Sequence, residues 1–411
     1  MSWAFLGISL VGLALTLNTF RPLGGWLRIP AFFASWLVNE LPLYTLVGQA
    51  AVIFLFARAG AFEAWPGRVG LVVTALSWAG VVELWRIGHR AGHTMRRVLG
   101  PHAGLDPWPR VPGHQLWLPF SPGRAGVRRI QNLVFANVGK KPLELDVYLP
   151  KAASGLRPAI LQIHGGGWVI GDKREQGLPL LYHLAAHGWV GFNANYRLSP
   201  RATFPDHLVD VKRAIVWIRE HAREYGVDPG FICITGGSAG GHLAALAALT
   251  ANDPSYQPGF EEADTSVQGA VCFYGVYSFI DHLGVFPKEF SSVLLERLVM
   301  KARAEDAPDA YRSASPIHRV HADAPPVLIV HGDRDTLAPV EYARHFAEEL
   351  RKVSKSKVIY TEIPGAQHAF DVFSSPRTMR VVEGVERFLA GIHRDHVEQR
   401  PRRDDGVADV G

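Results

Sequence analysis

Residues 231–242 constrain the fold of this 411-residue chain more than any other stretch. Residues 231–235 are rich in apolar and β-branched types and predict a buried strand, whereas the Ala- and Leu-rich run 242–250 predicts a helix. Between them, Gly236-Gly237-Ser238-Ala239-Gly240 fits the pattern Gly-x-Ser-x-Gly. Glycines beside the serine let strand and helix approach each other at a sharp turn, and the helix N-terminus faces the serine. The stretch therefore predicts a nucleophilic Ser238 at the end of a strand.

A second stretch, residues 160–168, runs from a predicted strand into His164-Gly165-Gly166-Gly167-Trp168. Because glycines leave backbone N–H groups uncovered, we expect those of Gly166 and Gly167 to form an oxyanion hole with that of Ala239. The alternative is a glycine-rich turn that holds no ligand. A phosphate-binding loop is disfavoured, since the stretch lacks both the P-loop lysine and the Gly-x-Gly-x-x-Gly spacing with its acidic partner.

Two stretches downstream of Ser238 supply a base and a carboxylate, each directly after a predicted strand. A serine hydroxyl needs a base, and the base needs an orienting carboxylate, in the chain order Ser, Asp or Glu, His. We predict His368 as the general base and Asp335 as the carboxylate. Asp333 is the alternative carboxylate, and we interpret it as a turn former that bonds its own backbone. Weaker candidates for the base lie inside other motifs: His331 and His242.

From residue 127 onward, predicted strands alternate with predicted helices after an antiparallel hairpin at 127–138 and 143–149. This alternation predicts an α/β fold, a mostly parallel sheet with helices on both faces, over residues 127–393. The Phe- and Leu-containing segment 276–321 is a candidate cap, the alternative being ordinary packing against the core. The Pro- and Gly-rich residues 99–126 predict a linker, and the charged residues 394–411 predict a disordered tail.

The first 98 residues are far more apolar than the rest and predict a membrane-anchoring module of three helices. Residues 2–20 carry no charge, 41–57 are the cleaner part of the apolar run 29–57, and a third segment covers 69–85. The alternatives are a signal peptide for the first segment and buried cap helices for the others. Glu40 has no evident partner, and the Leu41-Pro42 step predicts a break between an interfacial segment and a span. Six tryptophans, several of them near the segment ends, are typical of interfacial belts: Trp3, Trp26, Trp36, Trp65, Trp78 and Trp85.

Arginines flanking the apolar segments predict the orientation of this module. With three spans, six arginines lie on the side of the catalytic domain and two on the other: Arg21, Arg28, Arg86, Arg90, Arg96 and Arg97 against Arg58 and Arg68. This places the N-terminus outside and the catalytic domain in the cytoplasm, and one false span would reverse the result. The net charge of +5 is spread thinly, which disfavours nucleic-acid binding. Cys233 and Cys272 lie in strand-like runs and predict buried thiols rather than a disulfide or metal site.

Together, the glycine loop, the serine turn, His331-Gly332-x-x-Asp335 and Gly365-x-x-His368-x-Phe370 resemble the hormone-sensitive-lipase-like esterases of the α/β-hydrolase superfamily. Asn195-Tyr196-Arg197-Leu198-Ser199-Pro200 is similar to a further motif of that family. The resemblance covers about residues 130–393. It implies the α/β-hydrolase fold and ester hydrolysis through an acyl-enzyme on Ser238, with Asp335 as the carboxylate and no metal or cofactor.

Gly171-Asp172-Lys173 is more similar to the acetylxylan/feruloyl-esterase and prenylcysteine-methylesterase branches, and the N-terminal module to that of some membrane-attached actinobacterial esterases. The expected activity is therefore that of a membrane-anchored carboxylesterase or lipase on a small-molecule or lipid ester. Alternatives are an amidase, peptidase or deacetylase-type hydrolase on the same scaffold, a non-catalytic binding protein, and a transporter or channel half at the N-terminus. The natural ester, its acyl length and the oligomeric state are unknown from sequence.

Overall fold

A computed structural model describes residues 1–100, 123–139, 141–151 and 155–399. Most of the predicted linker, residues 101–122, and the end of the predicted tail, residues 400–411, lie outside the described residues.

An eight-stranded mixed sheet forms the centre of the molecule, in the order β1-β2-β4-β3-β5-β6-β7-β8. The hairpin β1–β2 is antiparallel, β2 pairs antiparallel with β4, and all later pairs are parallel. The strands are β1 Val127–Val138, β2 Lys141–Pro150, β3 Arg157–Ile163, β4 Val190–Ala194, β5 Val227–Gly237, β6 Gly269–Phe273, β7 Val327–Gly332 and β8 Val358–Ile363. The parallel strands inside the sheet, β3 to β7, are buried on both faces, which explains their near-continuous apolar sequences.

Helices cover both faces of this sheet, each face with its own apolar core. Counting from the N-terminal module described below, they are α5 Leu178–Ala186, α6 Asp206–Glu220, α7 Ala239–Leu249, α8 Pro308–Ser313, α9 Val340–Val353 and α10 Pro376–Gln399. One core holds side chains of α6, α7 and α9, and the other holds those of α5 and α10. The predicted α/β fold is confirmed. Because α10 continues to Gln399, the expectation that disorder begins at residue 394 is wrong for residues 394–399.

The N-terminal module contains α1 Ser2–Phe20, α2 Arg28–Glu40, α3 Pro42–Arg58 and α4 Trp65–Leu99. By length and composition, α1 and α4 could each cross a membrane, and α2 with α3 could form a third, broken span. The axes of α2 and α3 differ by 93° at the break. Leu41 lies at this break with a non-helical backbone, because the residue before a proline disfavours the helical conformation.

Helix α4 is a continuous helix of 35 residues, whereas the predicted third segment covered only 69–85. At 1.5 Å per residue it is about 52 Å long, well beyond the ~30 Å of a hydrocarbon core. Its second half packs on α10 through small residues. A Cβ atom on Gly384 would lie 2.4 Å from Met95 Cε, and one on Gly92 would lie 3.1 Å from Arg380 Cδ. Helix α4 thereby connects the apolar helices to the hydrolase layers.

Candidate active site

Ser238 lies on the sharp turn between β5 and α7, with φ 57° and ψ −122°. A non-glycine residue with positive φ is strained, so the surrounding structure must hold it. The Ser238 N–H donates to Phe273 O of the neighbouring strand at 3.0 Å. The flanking glycines are required: a Cβ on Gly240 would lie 2.1 Å from Ile163 O, and one on Gly236 would lie 2.4 Å from Gly240 O. The sequence thus forms the tight turn that the Gly-x-Ser-x-Gly pattern predicts.

The glycine loop after β3 lies against this turn. A Cβ on Gly165 would lie 3.0 Å from Ser238 Cβ, so only glycine permits the approach. Gly166 and Gly167 have φ angles of 107° and 60°. In the ranges that the structure describes, the backbone N–H groups of Gly166, Gly167 and Ala239 have no hydrogen-bond acceptor. These three N–H groups are therefore available to a ligand beside Ser238.

His164, which begins this loop, has a structural role. Its Nδ1–H donates to Gly165 O at 2.7 Å, and its ring stacks on Tyr196 with centroids 4.5 Å apart. Burial lowers the pKa of His164 to about 4, so its ring is neutral at physiological pH.

Asp335 and His368 are joined by a short hydrogen bond at the ends of β7 and β8. His368 Nδ1–H donates to Asp335 Oδ2 at 2.7 Å, and both side chains are buried. The other carboxylate oxygen, Oδ1, accepts the backbone N–H groups of Leu337 and Ala338, each at 2.8 Å. This arrangement fixes the His368 tautomer and leaves its Nε2 as the ring nitrogen free to accept a proton.

His331 is a second imidazole beside Asp335. Its Nε2 lies 3.0 Å from Ala338 O and 3.3 Å from Asp335 Oδ2. Burial raises the pKa of Asp335, but the charge of His368 and the hydrogen bonds from His331 and His368 outweigh burial and hold that pKa below its ordinary value. Asp335 is therefore a carboxylate at any pH near neutrality.

Asp333 does not bond its own backbone, so that interpretation is wrong. Its Oδ1 accepts the N–H of Gly365 at 2.7 Å and so ties the loop after β7 to the loop that carries His368. His242 is also fully engaged. It accepts Trp168 Nε1–H at 3.3 Å and donates from Nε2 to Ala314 O at 2.7 Å, and burial lowers its pKa to about 3.

Tyr274 and Asp371 adjoin the site, although the motifs did not identify them. The Tyr274 ring lies 4.7 Å from the His368 ring, and its hydroxyl donates to Asp371 Oδ1. Burial raises the pKa of Asp371 and of Tyr274. A Cβ on Gly237 would lie 2.5 Å from the Tyr274 hydroxyl, so Tyr274 contacts both the serine turn and the histidine. No hydrogen bond joins Ser238 to His368 in the part of the chain that the structure describes.

The candidate cap, residues 276–321, contains a π-helical segment, Phe290–Val299, and helix α8. Leu295 and Val299 are buried in the core on one face of the sheet. Leu294 lies over the glycine loop, where a Cβ on Gly167 would be 3.5 Å from both of its methyl carbons. The segment therefore packs on the core and also borders the site.

Helix α2 of the N-terminal module contacts the loop that carries His368. Trp36 Nε1–H donates to Ala369 O, and Asn39 Nδ2–H donates to Gly365 O, both at 3.1 Å. Glu40 is buried and forms an ion pair with Arg377 of α10, while Ser375 Oγ–H donates to it at 3.0 Å. Glu40, which lacked a partner in the sequence, is thus paired with residues more than 330 positions away.

Among the described residues, one His/Glu cluster has ligand atoms close enough to hold a metal ion: His183, His187 and Glu386. Its atoms already bond one another, with His183 Nε2 2.6 Å from Glu386 Oε2. Arg124 Nη1 lies 3.3 Å from His183 Nδ1, and a guanidinium there disfavours a second cation.

Comparison with known proteins identifies the family of this chain. The BD-FAE family model matches residues 145–350, which include Ser238 and Asp335. The chain is 42% identical over 405 residues to the probable carboxylic ester hydrolase LipM of Mycobacterium tuberculosis, covering 94% of this chain and 92% of that protein. It is 43% identical over 372 residues to esterase LipQ of the same organism, covering 88% and 84%.

Solved structures of esterases share the fold. The native esterase Est2 of Thermogutta terrifontis matches with a TM-score of 0.54 and 27% identity, covering 71% of this chain and all of that one. A truncated carbohydrate esterase from gut microbiota matches with a TM-score of 0.52 and 26% identity, covering 66% and 96%. The chain therefore belongs to the BD-FAE family of α/β-hydrolases and is a carboxylic ester hydrolase.

Proposed function

We propose that the chain hydrolyses carboxylic esters through an acyl-enzyme on Ser238, with His368 as general base and Asp335 as its orienting carboxylate. The observation that carries this proposal is the buried hydrogen bond of 2.7 Å from His368 to Asp335, at the same sheet edge as the strained serine turn. The available N–H groups of Gly166, Gly167 and Ala239 support it as an oxyanion hole.

In the acylation step, His368 Nε2 accepts the Ser238 hydroxyl proton while Oγ bonds to the ester carbonyl carbon. Asp335 stabilises the resulting imidazolium through the Nδ1–H bond. The three N–H groups bind the oxyanion, and each such donor is typically worth about 3–4 kcal/mol. When the C–O bond breaks, His368 returns the proton to the alcohol, and a water molecule then repeats the sequence on the acyl-enzyme. Leu294 over the glycine loop supports an apolar acyl site under the segment 276–321.

We further propose that α1, α3 and α4 cross a membrane and hold the hydrolase at its cytoplasmic surface, while α2 lies at the interface. Exposed apolar side chains on these helices support the spans: Val11, Leu17, Val47, Phe54, Leu55, Val72 and Leu76. The arginine asymmetry supports the orientation. Protease protection in sealed vesicles tests this orientation. Digestion of the hydrolase domain from the lumenal or external side would show the opposite orientation.

A fluorophosphonate probe tests the chemistry. We expect the full chain to be labelled, Ser238→Ala to lose the label, and p-nitrophenyl esters to be cleaved far faster than matching anilides. A labelled Ser238→Ala variant would refute the nucleophile, whereas faster cleavage of anilides would reassign the enzyme as an amidase.

A further inference from the structure

The loop that carries His368 joins β8 to α10 and contains two residues in the left-handed backbone region. Gly365 has φ 64° and Ala369 has φ 55°. For alanine this conformation costs about 1–2 kcal/mol, so neighbouring contacts must maintain it. One of the two residues precedes His368 by three positions, and the other follows it directly.

Helix α2 donates a side-chain hydrogen bond to the carbonyl of each of these two residues. Asn39 binds Gly365 O, and Trp36 binds Ala369 O. The two bonds bracket His368, whose own hydrogen bond to Asp335 fixes only the ring. The N–H of Gly365 is held from the other side by Asp333.

Packing and charge hold α2 in this place. The Trp36 ring contacts Phe373 with centroids 4.8 Å apart, and buried Phe32 lies 6.4 Å from the His368 ring. The buried pair of Glu40 and Arg377 fastens the end of α2 to the first turn of α10. Residues of α2 on the opposite face, Leu37 among them, are exposed.

We propose that Trp36 and Asn39 are positioning residues that set the backbone of the His368 loop, an inference that rests on the proposed role of His368. The N-terminal module is then part of the catalytic apparatus as well as an anchor. Because proton transfer to His368 Nε2 depends on sub-ångström placement, losing either bond should slow acylation more than it weakens substrate binding.

The test uses the full chain in detergent and a short p-nitrophenyl ester. Trp36→Phe keeps an aromatic ring against Phe373 but removes the N–H. We expect its kcat to fall roughly tenfold, the effect of losing one net hydrogen bond of ~1.4 kcal/mol, with KM within twofold. Leu37→Ala, on the exposed face, is the matched control and should change neither parameter by more than twofold.

Active-site titration with the fluorophosphonate separates positioning from folding. If kcat per titrated site is unchanged in Trp36→Phe, or if only the titrated fraction falls, the inference is refuted. Asn39→Leu, which loses the donor without adding a second carboxylate beside Glu40, must show the same fall in kcat per site; an unchanged value would also refute it. Loss of all activity in Ser238→Ala tests the proposed mechanism separately.

Discussion

The ion pair between Glu40 and Arg377 offers the sharpest test of how the N-terminal module is joined to the hydrolase. Both side chains are almost fully buried, at 0% and 2% exposure. Arg377 also faces Asn39 Oδ1 at 3.5 Å, so α2 supplies its acceptors. We predict that Glu40→Leu will release α2 from the His368 loop, because it leaves the guanidinium buried without a carboxylate.

The size of this effect follows from the burial of the ion pair. Removing one partner of a buried ion pair typically costs about 3–5 kcal/mol. Since 1.36 kcal/mol is a factor of ten, the equilibrium between docked and undocked α2 should shift by a factor of roughly 10² to 5 × 10³. The double variant Glu40→Leu with Arg377→Met replaces both charges by apolar groups of similar volume and should recover most of this loss.

Hydrogen exchange of the detergent-solubilised chain measures this equilibrium directly. We expect amides of α2 and of the first turns of α10 to exchange much faster in Glu40→Leu, whereas amides of the central strands should keep their protection. The double variant should restore slow exchange in both helices. Equal protection of α2 in Glu40→Leu and the unmodified chain would show that the pair does not hold the module in place.

Two further predictions concern the glycine loop and the pH dependence of the free energy of unfolding. Gly166→Ala places a Cβ 2.0 Å from Ile170 O and should displace the glycine loop, lowering kcat about 10²- to 10³-fold. Gly188→Ala, which also has positive φ but meets no atom within 4 Å, is the control, and equal losses in both would contradict the oxyanion role. Burial lowers the pKa of His164 and of His207 to about 4, so the folded chain binds fewer protons than the unfolded chain as pH falls below 6.5. The free energy of unfolding should therefore decrease by about 1.6 kcal/mol per histidine between pH 6.5 and pH 5, and an unchanged denaturation midpoint at the two pH values would contradict this.

Local patterns in the sequence were sufficient to predict the strands and helices of the hydrolase domain. The strand before Ser238, the glycines around it and the strands before Asp335 and His368 are all contiguous in sequence, so periodicity and turn chemistry could identify them. The end of α10 was harder to predict, since the structure extends this helix six residues into the predicted tail. Its charged continuation to Gln399 lacks the apolar period that would have identified it as helix.

Contacts between distant segments could not be predicted in the same way. Nothing near Glu40 indicates that its partner is Arg377, and Trp36 has the sequence context of an interfacial tryptophan although it binds Ala369 O. The local sequence of Asp333 predicts a turn former, but the hydrogen bond that this residue accepts depends on where the loop after β8 lies. These residues are fixed by tertiary packing, for which a single sequence carries no signal.

The unbroken course of α4 affects where the hydrolase can be cut. A fragment beginning at residue 127 would uncover the strip of α10 against which Met95 packs and the loop residue Gly365 against which Ile87 packs. It would also leave Arg377 without Glu40, and the carbonyls of Gly365 and Ala369 without their hydrogen bonds from α2. Such a fragment should aggregate or lose activity even though it retains every motif residue, because the last four turns of α4 cover apolar surface of the hydrolase domain.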